Sequence, residues 1–170
     1  MVKTKRIWWV NAVPDEHEWA DWKKFGKGKN IQEFFPGQPL INYENTSVGD
    51  IVLICLTGDI GEIRHIGKIK EGYHKNNDGD YCITIEAVHT LNTPIQKKSL
   101  LGIKELKDAE PFRLGIRQKT LLMLSDNEWK IMRKLILSKN PSVKNILESL
   151  EGEKMEQIKE NIYELNDQVK

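Results

Sequence analysis

The stretch IWWVNAVPDEHEWADW, from Ile7 to Trp22, decides how the rest of the chain is read. It holds four of the five tryptophans, more than a small core ordinarily needs around one strand-to-helix turn. Ile7-Trp8-Trp9-Val10 is bulky and apolar throughout, which predicts a strand buried on at least one side. Pro14 ends it, and Asp15 with Glu18 resembles a capping box in which Asp takes the usual Ser/Thr role. A short helix is then predicted to about Phe25, stopped by Gly26, with Trp19 and Trp22 sharing one face. Neighbouring strand residues point to opposite faces, so at most one of Trp8 and Trp9 lines a given pocket and the other belongs to the core. Indoles crowded in this way suggest an aromatic slot for a flat ligand. A nucleobase fits best, because stacking alone contributes about 1–3 kcal/mol per base.

Beyond this corner the pattern is strands with short helices between them. Gly26 to Ser47 reads as the least regular part, with Phe34 and Phe35 either pinning it to the core or serving a ligand. Val48-Gly49-Asp50 is a turn and Ile51–Leu56 a buried strand. Thr57 to Gly61 connects it to a return strand, Ile63 to Ile69, with Ile63, His65, Gly67 and Ile69 expected on one side and Arg64, Ile66 and Lys68 on the other. Gly67 inside that strand predicts a bulge or a close backbone approach. Asn76 to Asp80 is a polar turn leading to a strand over Tyr81–Val88, and Lys97–Leu106 is expected to be a short helix capped by Ser99. Thr120–Leu124 is a strand. Ser125 with Glu128 opens a helix whose apolar face is Trp129, Met132, Leu135 and Ile136, which makes Trp129 a packing residue. After Pro141, residues Val143, Ile146, Leu147 and Leu150 form a short amphipathic face. Met155, Ile158, Ile162, Leu165 and Val169 then trace a brief heptad seam. No parallel βαβ units are evident, so the fold class expected is α+β, a small mixed β-barrel of about five or six strands with short helices and a C-terminal helical extension.

The totals limit the function classes. The 170 residues suffice for one domain with a normal core. No apolar run approaches the roughly 20 residues that span a bilayer, and the N-terminal MVKTKRIWWV lacks a signal peptide's apolar core. Cys55 and Cys82 sit in apolar strands as expected of reduced buried thiols, which points to a cytoplasmic protein. The net charge of +1 hides a split: residues 146–170 carry seven acids and three bases, leaving the body mildly basic. That permits a phosphate-bearing partner without demanding one. His17, His65, His74 and His89 are scattered without metal-ligand spacing, so neither a metal nor a cofactor is expected. Gly26-Lys27-Gly28-Lys29 lacks the spacing and the Ser/Thr of a phosphate loop, and no nucleophile elbow exists. Binding rather than catalysis is therefore expected. The rings available are Trp8, Trp9, Trp19, Trp22, Phe34, Phe35 and Tyr73, with Asn11 at the strand end to read a base edge. Lys23, Lys24, Lys27, Lys29, Lys68 and Lys70 are candidates to meet phosphates.

The order of these motifs resembles the EVE domain of the PUA-like superfamily, which also contains the YTH readers of methylated adenine. That family opens with a strand reading roughly W-L-V-K-x-E-P, followed by an aromatic residue. Here Trp8-Trp9-Val10-Asn11-Ala12-Val13-Pro14 and Trp19 fit that opening. Val48-Gly49-Asp50-Ile51-Val52-Leu53 and Ile63 to Ile69 are similar to its central strands. Arg117-Gln118-Lys119-Thr120-Leu121-Leu122 with Glu128-Trp129 is similar to its R-Q-x-R-L-S strand and following helix, which adds Arg117 to the phosphate candidates. The likeness spans about residues 6–138. The family's W-D-G-V-R-N segment has no clean counterpart between Trp22 and Tyr43, and its lysine after the first strand is Asn11 here.

The resemblance implies a PUA-like domain over 1–139, with 140–170 a helical linker or extension. It implies a reader that takes a flipped, methylated base of double-stranded DNA into an aromatic cage of Trp8, Asn11, Trp19, Trp22, Phe34 and Tyr73. A module of this kind followed by a helical linker is also similar to the specificity domain of McrB-type restriction systems, in which a motor domain or partner would be engaged through the C-terminal helix. An RNA-binding PUA-like module and a small-molecule or protein-interaction domain are the alternatives.

Overall fold

A computed structural model describes residues 6–12, 31–36, 40–57, 61–113 and 121–152. The predicted helix after Pro14 and the heptad seam from Met155 lie outside the described residues, as do Trp19, Trp22, Lys23, Lys24, Lys27, Lys29 and Arg117. Six strands form one sheet: β1 Ile7–Ala12, β2 Ile31–Phe34, β3 Ile51–Leu56, β4 Glu62–Lys75, β5 Tyr81–Gln96 and β6 Leu121–Leu124. Their spatial order is β2-β5-β4-β3-β1-β6, curled into a half-barrel. β1 and β3 run parallel and every other pairing is antiparallel, so the sheet is mixed as expected. Around it lie α1 Leu40–Glu44, α2 Lys97–Leu101, α3 Asp126–Lys139 and α4 over 144–152, with short 3-10 turns between.

The alternation in β1 governs the core. Trp9 joins Ile7, Leu53, Cys55 and Ile63 on the face covered by Trp129, Met132 and Ile136 of α3. Trp8 joins Val10, Ala12, Val52, Ile54 and Leu56 on the other face, with Phe34 and Tyr43 beside them. β3 is therefore buried along its whole length, because both of its faces carry a core. Deep burial forces each indole to find an acceptor. The Trp8 Nε1–H donates to Asp50 Oδ2 at 2.9 Å, and the Trp9 Nε1–H donates to Asn11 Oδ1 at 2.8 Å.

β4 departs from strict alternation. Its ladder to β5 slips at several points, including between Ile63 and His65 and between Ile66 and Gly67. Consequently Ile63 and Ile66 pack in the core around Trp9, whereas Ile69 packs in the core around Trp8. The expected single side for Ile63 and Ile69 is corrected by these irregularities. Gly67 makes the close approach its position predicted: a Cβ there would lie 2.9 Å from the Glu86 carbonyl oxygen. Pro94 sits within β5 where the pairing slips from Thr90 to Ile95, which is where a residue without an amide donor is tolerated.

The stretch after Gly26 is more regular than its sequence suggests, holding β2 and α1. α2 ends at Leu101, and its N-cap is Gln96 without a side-chain bond; the predicted Ser99 cap is corrected. α3 begins with the predicted capping box: Ser125 Oγ accepts from the Glu128 N–H at 3.2 Å, and Glu128 Oε1 accepts from the Ser125 N–H at 2.9 Å. Beyond it, Val143, Leu147 and Leu150 enter the core of Trp9. Asn140 ties this segment down, its side chain exchanging hydrogen bonds with both the N–H and the C=O of Thr93 at 2.9 Å. At the sheet margin, Glu110 Oε2 accepts from the Met123 N–H at 2.7 Å and Asn42 Nδ2 donates to the Leu121 C=O at 2.9 Å.

Candidate functional site

The parallel pair sets the geometry of the site. β1 and β3 end side by side, Ala12 opposite Leu56, and their carboxyl ends lead into the connections 13–30 and 58–60. The corner is closed by Thr57, whose N–H and Oγ1–H both donate to the Ala12 carbonyl, at 2.8 and 3.2 Å. Across the same end, Ala12, Leu56, Glu62 and Gln96 lie opposite one another in β1, β3, β4 and β5. Directly opposed residues share a face, so this row continues the Trp8 face and changes it from apolar to polar. Glu62 is buried, with Oε1 accepting from Arg64 Nε at 2.8 Å and from Arg64 Nη2, and Oε2 accepting from Gln96 Nε2 at 2.8 Å. These three residues were not singled out from the sequence. Polar residues at strand ends carry no signal until register brings them together.

Among the described residues, the sequence-predicted candidates do not gather in one place. Trp8 and Phe34 are fully buried, Trp8 bonded to Asp50 and Phe34 stacked on Tyr43 with centroids 6.1 Å apart, so the expected cage role is corrected to a core role for both. Asn11 lies on the Trp9 face and its Oδ1 accepts a hydrogen bond from the Trp9 indole N–H; it cannot line a pocket shared with Trp8, two faces being separated by the sheet itself. Tyr73 sits at the far end of β4, stacked on Tyr81 with centroids 5.2 Å apart. Lys68, paired with Ile51 and hence level with Ile7, already marks the opposite end of β1 from Asn11. At about 3.3 Å per residue, Tyr73 and Asn11 are separated by some 25–30 Å of strand.

Two shallow clefts flank that far end. One, of about 330 Å³, includes Ile31, Glu33, Lys70, Glu71, His74 and Asn76. The other, of about 450 Å³, includes Glu44, Thr46, Ser47, Glu71, Tyr73 and His74. Lys70 lines the first cleft together with Glu33, Glu71 and Lys75, two acids against two bases. Lys68 is half-buried and lies opposite Glu86 of β5. Cys82 lies 3.7 Å from His74 Nε2, but burial, and then Glu33, Glu71 and Asp80, raise its thiol above the usual range. A thiol held protonated is a poor nucleophile. Among the described residues no group of three or more His, Cys, Asp or Glu side chains could hold a metal ion, and no helix is long and apolar enough to cross a membrane.

No protein-family model and no curated protein matches the chain. The fold itself is shared with several solved structures at 11–18% identity. A hypothetical protein from Leishmania major superposes with a TM-score of 0.65 at 12% identity, covering 81% of this chain and 98% of its own. A protein from Rhodopseudomonas palustris does so with a TM-score of 0.61 at 18% identity, covering 76% and 91%. The human THYN1 protein, in complex with DNA containing 5-methylcytosine, gives a TM-score of 0.58 at 11% identity, covering 78% and 98%.

Proposed function

We propose that this chain is a non-enzymatic reader of modified bases in nucleic acid. The observation that carries the reading is that a protein of the same fold, human THYN1, is in complex with 5-methylcytosine-containing DNA. The Trp-rich sequence Ile7 to Trp22 supports it from the residue side, since β1 delivers the chain from the buried Trp8 directly into the segment carrying Trp19 and Trp22. With Trp8 and Phe34 assigned to the core, Trp19 and Trp22 are the rings proposed to stack on the base.

The finer proposal is a methylated base flipped out of duplex DNA, a few kcal/mol of unstacking being offset by stacking and edge hydrogen bonds. The same reading places the domain as the specificity module of a restriction system, acting in the cytoplasm, with a motor reached through the 140–170 segment.

The test is fluorescence anisotropy with duplexes of one sequence carrying cytosine or 5-methylcytosine at a single position, with matched single-stranded DNA and RNA as competitors. Affinity at least tenfold higher for the methylated duplex, about 1.4 kcal/mol, is expected. Equal affinity for modified and unmodified duplexes overturns the proposal, and tighter binding to RNA reassigns the polymer.

A further inference from the structure

The polar end of the Trp8 face has a chemistry that folding does not call for. Ile63 and Ile95, next to Glu62 and Gln96 in their strands, point into the core of Trp9, so Glu62 and Gln96 point the other way, in line with Ala12 and Leu56. Glu62 is only 7% exposed. Taking a carboxylate out of water costs several kcal/mol, and a buried ion pair is commonly no more stabilising than apolar residues of similar volume. The neighbouring positions in the row, Ala12 and Leu56, show that the face accepts apolar side chains. A buried charge here is therefore better explained by what it can bind.

Its geometry is that of an incomplete acceptor. An ionised carboxylate offers about four lone-pair sites. Among the described residues Glu62 receives three N–H donors, two from Arg64 and one from Gln96. Arg64 is 30% exposed at its side chain and Gln96 is partly buried, so the cluster reaches from the closed face toward solvent. One acceptor site flanked by guanidinium and amide donors complements the edge of a base that carries an exocyclic amino group beside ring acceptors, as cytosine does.

Resting on the reader assignment above, we propose that Glu62, oriented by Arg64 and Gln96, reads the exocyclic amino group of the bound base. The site then takes amino bases of the cytosine class and rejects their keto counterparts. The amino N–H donates to the Glu62 carboxylate; thymine, with the same 5-methyl group, sets a carbonyl lone pair against it instead. A polar site left unpaired discriminates more steeply than a missing methyl group does.

The experiment compares one duplex carrying 5-methylcytosine opposite guanine with the same duplex carrying thymine opposite guanine. The mismatch opens more easily, so a preference for 5-methylcytosine comes from the site and not from flipping. The wild-type chain is expected to prefer 5-methylcytosine by tenfold or more. Glu62→Gln, which retains the side-chain shape and whose folding is checked by its thermal melt, is expected to narrow that ratio to threefold or less while leaving the salt dependence of binding, a measure of phosphate contacts, unchanged. Equal wild-type affinity for the two duplexes, or an unaltered ratio in Glu62→Gln, overturns the inference while a preference for 5-methylcytosine over cytosine keeps the reader assignment. The wild-type comparison decides the matter even if the variant does not fold. Loss of all modified-base preference in the wild-type chain refutes the reader assignment itself.

Discussion

Replacing Trp8 by Phe separates a core indole from a ligand-stacking one. Trp8 is fully buried, and its Nε1–H donates to Asp50 Oδ2, the same oxygen that accepts from the Ser47 N–H at 2.8 Å. Phe preserves the six-membered ring but deletes that donor. Loss of a hydrogen bond to a charged group costs about 1.5–3 kcal/mol. The missing part of the ring system removes about 1 kcal/mol of apolar burial at roughly 25 cal/mol/Å². Trp8→Phe should therefore destabilise the protein by about 3 kcal/mol. For a domain of this size each kcal/mol moves the melting midpoint by about 2–4 °C, so a fall of roughly 6–12 °C is expected. Urea denaturation followed by circular dichroism measures it, with the Asp50→Asn variant completing a double-mutant cycle. Coupling of about 1 kcal/mol or more between the two positions is expected. Destabilisation below 1 kcal/mol, or a change in DNA affinity with no change in stability, would refute the assignment of Trp8 to the core.

Other positions give independent checks. Gly67→Ala drives a Cβ to 2.9 Å from the Glu86 backbone oxygen and 3.0 Å from the Ile85 side chain, so a loss of about 1–3 kcal/mol is expected in equilibrium unfolding. Ser125→Ala breaks the capping box of α3 and should cost about 1 kcal/mol in the same assay. Burial pushes the Cys55 thiol up from 9.0 to about 12, Lys97 opposing and Glu62 adding to the shift. The folded protein therefore holds this proton where the unfolded chain has released it. The contribution to stability is complete below pH 9 and is lost as pH rises from there to about 12, which pH-dependent urea midpoints of wild type and Cys55→Ala would reveal as a difference in slope.

How far the sequence foretold this structure depends on the distance over which each signal acts. β1, β3 and the start of α3 were legible because a few adjacent residues determine each of them: apolar runs for the strands, Ser125 and Glu128 for the cap. The opposed roles of Trp8 and Trp9 followed from strand geometry alone. β2 was hidden, since Ile31–Phe34 is a four-residue strand pairing with β5, far along the chain. The full lengths of β4 and β5 were hidden too, because Lys70 to Lys75 is polar and lies past the expected strand end at Ile69, yet continues as half of a long paired ribbon. The site was the least legible part. Trp8, Asn11, Phe34 and Tyr73 are each plausible alone, but burial, face and register distribute them over two cores and two ends of the sheet. Glu62, Arg64 and Gln96 become a group through the pairing of β4 with β5, a relation between residues 34 positions apart in the case of Glu62 and Gln96.

The treatment of β6 bears on how such a domain behaves among its own copies. A terminal strand offers its outward amides and carbonyls as a template on which another chain can polymerise. Here the carboxylate of Glu110 and the amide of Asn42 occupy that position, engaging Met123 and Leu121 as a seventh strand would. Two side chains thus give this margin a built-in stop against strand-by-strand growth into fibrils, so that local concentration can rise without the sheet extending from this side.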